Sequence, residues 1–146
     1  MSTKYRVQNP KNNEIVESFD FITDDELETA LATANDTFKQ WREKSFEERA
    51  EVLRKVAKLF DEQRAELTRI IAEEMGKSVK EGDGEINDVV EIFNYYADNG
   101  AEFGADEEIP NQRGGTSVMR KVPLGVILGI MPWNFPYYQV ARFAAP

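Results

Sequence analysis

The chain has 146 residues, 41% hydrophobic and 31% charged, enough for one compact domain or part of one and unlike the composition of a disordered chain. Eighteen Lys and Arg against twenty-seven Asp and Glu leave a net charge of −9, a field that repels phosphate backbones and anionic headgroups and excludes nucleic acid as an expected partner. Neither cysteine nor histidine occurs, which removes disulfides, thiol nucleophiles, zinc-finger patterns and histidine-based triads from this stretch.

Chain order begins with Met1-Ser2-Thr3-Lys4-Tyr5-Arg6, which leads into no apolar signal-peptide core, so a cytoplasmic location is expected. Tyr5 to Val7 and Ile15 to Phe19 alternate in polarity around the turn-favouring Asn9-Pro10-Lys11-Asn12-Asn13 cluster, predicting a two-stranded hairpin. Thr23 and Glu26 form a capping-box pattern, followed at helical spacing by Leu27, Ala30, Leu31, Ala34, Phe38 and Trp41. An amphipathic helix to about Lys44 follows, with its apolar stripe expected in the core.

Ser45 and Glu48 repeat the capping box, and a helical stripe runs from Leu53 to Met75 before Gly76 stops it. The run is long for one helix, and a break near Asp61 to Arg64 would make two; the pattern is compatible with either. A further stripe, Ile86, Val89, Val90, Phe93, Tyr96 and Ala97, predicts another helix, weakened at its start by Gly82 and Gly84 and at its end by Gly100 and Gly104.

The texture then changes. Asp106 to Gly115 reads as a polar, solvated, turn-rich loop, and nothing near its acidic run suggests a metal site. Thr116 to Val122 and Gly125 to Met131 favour β-structure around Pro123-Leu124, so two strands are expected there. Val122 to Tyr138 is the longest uncharged apolar run, but three prolines interrupt it and it does not read as a membrane span.

The Gly125 to Ile130 strand would lead directly into Met131-Pro132-Trp133-Asn134-Phe135-Pro136, at the carboxyl end of a strand, where ligands gather in open α/β sheets. Asn134 stands between two aromatic residues and two prolines. Its amide could serve as a pre-aimed donor to a developing oxyanion, or it could cap a helix beginning at Pro136. If that helix forms, Phe135, Gln139 and Arg142 share one face. Arg142 could then grip a carboxylate with its planar fork, or simply make a surface ion pair.

The run from Val122 through Pro136, Val-Pro-Leu-Gly-Val-Ile-Leu-Gly-Ile-Met-Pro-Trp-Asn-Phe-Pro, closely resembles the aldehyde dehydrogenase superfamily. Asn9-Pro10 with Glu14, Phe38 and Trp41, Glu48-Arg49, and Glu74-Met75-Gly76-Lys77 extend the likeness over the whole chain. The resemblance implies an α/β fold. Residues 1–146 would be the incomplete amino-terminal part of a Rossmann-like NAD(P)-binding domain, with oligomerisation-type strands near 116–130 and the catalytic domain absent.

The resemblance further implies that Asn134 is the side-chain donor to the oxyanion, which displaces the capping alternative. Ile130, Met131, Pro132 and Trp133 would lie along the NAD or NADP cofactor, with no metal involved. The nucleophilic cysteine and the base glutamate lie downstream in family members, so no dehydrogenase activity is expected of these residues alone. Asn134 through Arg142 look most like the succinate-semialdehyde dehydrogenase branch, in which an arginine eight positions after the asparagine receives the distal carboxylate. Phe135, Gln139 and Arg142 are thus the expected substrate contacts, in an enzyme expected to be a homo-oligomer, dimer or tetramer. Two other readings remain open: an aldehyde dehydrogenase of another specificity, and a non-catalytic assembly or binding module.

Overall fold

The computed structural model describes residues 5–112 and 114–146. The opening residues 1–4 and Arg113, within the segment read as a polar loop, lie outside them.

Strands β1 (Tyr5–Gln8) and β2 (Ile15–Phe19) pair antiparallel, Tyr5 opposite Phe19, as their alternation predicts. The turn between them is held by its own amides: Asn9 Oδ1 accepts from the Lys11 N–H at 2.9 Å, and Asn13 takes the left-handed conformation (φ 63°) that asparagine tolerates. Helices α1 (Asp24–Trp41) and α2 (Phe46–Glu62) begin at Thr23 and Ser45, each with both halves of its capping box formed.

The long stripe resolves into two helices. Gln63 ends α2 and precedes α3 (Arg64–Met75), which stops at Gly76 in the left-handed region, φ 78°. A third capping box, Ser78 with Glu81, starts α4 (Val79–Phe103), and this helix runs unbroken through Gly82, Gly84 and Gly100. Packing explains the first of these glycines: a Cβ at Gly82 would meet Thr68 Cγ2 of α3 at 3.1 Å, so glycine lets the two helices approach.

Helices α2 and α4 form the main packed pair, joined by α3 and by the last helix, α5 (Pro136–Ala144). The core joins Ala57 of α2, Val89 and Phe93 of α4, and Ala141 and Ala145 at the end of the chain. Phe60 stacks on Phe93 at 6.0 Å and meets the Tyr137 ring edge-on at 5.7 Å, tying α5 into the bundle.

Three expectations are corrected. The apolar stripe of α1 is not core: no residue of this helix is buried, and Leu27 and Leu31 are exposed, because no other described helix packs extensively against it. The acidic segment is not merely a loop: β3 (Glu107–Ile109) pairs antiparallel with β4 (Ser117–Met119). Its carboxylates find cations across the hairpin, Asp106 on Arg120 at 2.5 Å and Glu107 on Lys121 at 2.7 Å. Gly125 to Met131, finally, is not a strand. No described segment runs beside it to complete a ladder, and Leu124, Leu128 and Ile130 stand exposed. Both sheets are two-stranded and antiparallel, and no described helix is long and apolar enough to cross a membrane.

Candidate active site

The Met131-Pro132-Trp133-Asn134-Phe135 segment is a turn that delivers the chain into α5. Pro136 occupies the first helical position, where its missing N–H costs nothing and its fixed φ suits the helix. The next two donors, the Tyr137 and Tyr138 N–H groups, both donate to Glu85 Oε1 of α4, at 2.9 and 3.1 Å. Gln139 N–H donates to the Phe135 carbonyl at 3.0 Å. The Tyr137 and Tyr138 donors of this helix start are thereby satisfied without Asn134.

Phe135, not Asn134, is the residue at the helix cap position, and no side chain of that position bonds the helix. Asn134 is exposed, and among the described residues its amide makes no hydrogen bond. Local physics alone allows the capping reading. The structure rejects it because a carboxylate from another helix already occupies the place.

Glu85 is itself held. Its side chain is fully buried, and Oε2 accepts from Lys77 Nζ at 2.5 Å, with the lysine side chain only 6% exposed. Lys77 sits in the short link between the Gly76 stop and the Ser78 cap, which aims it back along α4. Its ammonium also lies 3.6 Å from the centre of the Phe135 ring, a cation–π contact made out of water. Two buried charges thus compensate each other, and the carboxylate sits at the positive end of α5, where the helix dipole favours it.

Tyr137 completes the anchorage. Its hydroxyl donates to the Leu67 carbonyl of α3 at 3.4 Å. Burial pushes its phenol above the ordinary value, reinforced by the nearby charges of Glu74, Glu85 and Glu66.

The other expected site residues are distributed along this turn and helix. Ile130 (84% exposed) and Trp133 (77% exposed) flank Met131 and Pro132 as an apolar ledge. Trp133 also borders a depression of about 590 Å³ with Pro10, Ile70 and Met75. The start of α5, with its donors committed to Glu85, offers no phosphate cradle. Phe135 is engaged by Lys77, with Tyr138 at its edge 6.1 Å away. Gln139 is half-buried. Arg142 is exposed, its guanidinium 5.5 Å from the centre of the Tyr138 ring, and among the described residues it forms no ion pair.

Sequence reasoning missed Glu85 and Lys77 as parts of this site. A signal was available: Glu85 falls between Gly82 and Val89 at helical spacing, a charge on an otherwise apolar face. No metal-binding group of acidic side chains occurs among the described residues.

A bundle whose last helix is anchored through a buried acid, and which presents an uncommitted asparagine on an apolar turn, agrees with what the whole sequence matches. The model of the aldehyde dehydrogenase family covers residues 1–146, and the chain belongs to that family. Within it, the chain is 40% identical over 138 residues to the NADP(+) succinate-semialdehyde dehydrogenase of Deinococcus radiodurans, covering 94% of this chain and 29% of that protein. It is 38% identical over 138 residues to a probable enzyme of the same name from Synechocystis, covering 94% and 30%.

Among solved structures it superposes on the succinic semialdehyde dehydrogenase of Streptococcus pyogenes, in complex with NADP+, with a TM-score of 0.92 and 36% identity over 97% of this chain and 31% of that one. It superposes on the betaine aldehyde dehydrogenase of Staphylococcus aureus, in complex with NAD+, with a TM-score of 0.89 and 28% identity, covering 97% and 29%. The described elements therefore form part of the aldehyde dehydrogenase fold, and the chain spans about 30% of the length of the curated relatives it matches.

Proposed function

We propose that this chain supplies the amino-terminal part of an NAD(P)-dependent aldehyde dehydrogenase that oxidises succinate semialdehyde to succinate, and that Asn134 is its oxyanion donor. The observation carrying this reading is the state of Asn134: exposed, uncommitted, and released from capping by Glu85. The amide Nδ2–H of Asn134 donates to the aldehyde oxygen as it gains negative charge, and a donor already in place costs no reorganisation when the charge forms. Ile130, Met131, Pro132 and Trp133 shield one side of the cofactor from water. The cofactor, when bound, accepts a hydride.

Arg142 is the specificity residue of the proposal. It lies on the same helix as Gln139, carries a fixed positive charge and is unpaired within the described residues, so a substrate's distal carboxylate can take its fork. NADP+ is favoured over NAD+ because the relatives from Deinococcus radiodurans and Synechocystis are named as NADP(+) enzymes. The uncovered apolar side chains of α1 and of residues 122–130 support burial against the rest of the complete polypeptide, and the proposal keeps a homo-oligomer with the 116–130 region as its oligomerisation segment.

Reduced cofactor formation by the complete polypeptide carrying this sequence is the test. The proposal expects NADPH production with succinate semialdehyde well above that with an uncharged aldehyde of similar length. Turnover with neither substrate would leave the assembly-module reading, and equal turnover with both would leave a different specificity.

A further inference from the structure

We infer that Glu85 is a positioning residue for catalysis: by capping α5 in place of Asn134, it keeps the asparagine amide free for the reacting oxygen. The inference rests on the oxyanion role proposed for Asn134. An asparagine immediately before the cap position, facing two unsatisfied N–H groups, would tend to turn back and bond them, since Asn is among the favoured capping residues. Here the Tyr137 and Tyr138 N–H groups are both taken by Glu85 Oε1, from a side chain that is wholly buried and fixed by Lys77 on its other oxygen.

The division of labour is built from separate elements. Lys77 comes from the α3–α4 link, Glu85 from α4, and the donors from α5, so the position of the turn is set by the helix bundle rather than by the turn itself. Phe135, the neighbour of Asn134, is pinned by the same ammonium at 3.6 Å. A mispositioned donor loses most of its value, because stabilisation depends on reaching the oxyanion at hydrogen-bond distance.

Removing Glu85 alone would strand the Lys77 charge, so the variants are paired. K77M/E85Q keeps an acceptor oxygen for the two N–H groups; K77M/E85A removes it. Neither leaves a buried charge unpaired. In the complete enzyme, K77M/E85A has a kcat about ten- to a hundredfold below that of K77M/E85Q, which shares the lysine change, a gap short of the 10²–10³ expected for outright loss of the donor. KM for aldehyde and cofactor moves less than about twofold in both.

The effect passes through Asn134. N134A alone lowers kcat, and adding K77M/E85A to it costs no further activity, a non-additive cycle. If K77M/E85A does not fold, E85D carries the same cycle, keeping the charge but withdrawing the oxygen by one methylene. An unchanged kcat in K77M/E85A, or losses that multiply with N134A, overturns the inference while leaving the oxyanion role standing. An unchanged kcat in N134A overturns both.

Discussion

Glu85 and Tyr137 stand 52 positions apart in sequence and are joined by a 2.9 Å hydrogen bond from the tyrosine N–H to the buried carboxylate. That bond fixes where the last helix begins, and with it the turn that carries Asn134. The pair also explains why Lys77 is buried beside it: an acid as fully buried as Ile71, Ile86 and Val89 requires a cation within reach.

The first prediction concerns the cost of breaking this pair. E85A, which leaves Lys77 unpaired, should destabilise the protein by about 3–5 kcal/mol, while K77M/E85Q should cost clearly less because no charge is stranded. Urea unfolding midpoints of the two variants against the parent decide it. Equal losses in both would show that the ion pair does not act as a unit.

Acid should loosen three helix starts together. Glu26, Glu48 and Glu81 close the capping boxes of α1, α2 and α4, and all three have carboxyls held below the ordinary value of 4.5. The largest cause is the Thr23 backbone bond for Glu26, the Lys44 side chain for Glu48 and the Ser78 hydroxyl for Glu81. A depressed carboxyl contributes stability that is complete above the unfolded value and disappears as pH falls through the folded one. Helix content by circular dichroism should therefore hold down to about pH 5 and fall below it. The acid limb should be shallower in E26Q/E48Q/E81Q, and an unchanged limb would contradict the assignment.

Much of this was legible in the sequence. The capping boxes at Thr23 and Ser45 are local, each completed within three residues, and are read without knowing the fold; the equally local box at Ser78 is found only in the structure. The Gly76 stop and the Asn9 to Asn13 turn are equally local. The break between α2 and α3 was not decidable, because Gln63 carries no strong stop signal. The 125–131 segment was misread as a strand for a non-local reason: β-favouring residues make a strand only beside a partner, and no described segment supplies one. The short strand β3 is hidden in an acidic run because it forms only by pairing with β4, with Asp106 and Glu107 meeting Arg120 and Lys121 across the hairpin. Asn134 itself is conspicuous in its motif, but which side chain caps α5 depends on Glu85 of α4, 52 positions from Tyr137 in sequence.

Close helix approach makes its own prediction. G82V places a branched side chain where a single Cβ already comes within 3.1 Å of Thr68 Cγ2. Overpacking of this kind costs about 1–3 kcal/mol. Thermal unfolding should show the loss in G82V and not in G84V, since nothing lies within 4 Å of a Cβ at Gly84.

Substrate choice is tested at Arg142. A charge-assisted hydrogen bond contributes about 1.5–3 kcal/mol, so R142L in the complete enzyme should lower kcat/KM for succinate semialdehyde by about ten- to a hundredfold. An uncharged aldehyde of similar length should change by less than about threefold on the same basis. Equal losses for both substrates would assign Arg142 a structural role.

The chain holds no cysteine and so supplies no thiolate for attack on an aldehyde. Purified by itself, it should form no NADPH from succinate semialdehyde and NADP+. Cysteine-independent turnover by these residues would place the chemistry on groups other than those described.

The most direct measurement is the kcat of N134A in the complete polypeptide carrying this sequence, with succinate semialdehyde as substrate. The oxyanion role predicts a fall of about 10²–10³ with the cofactor KM little moved. An N134A enzyme that turns over at the parent rate would contradict it.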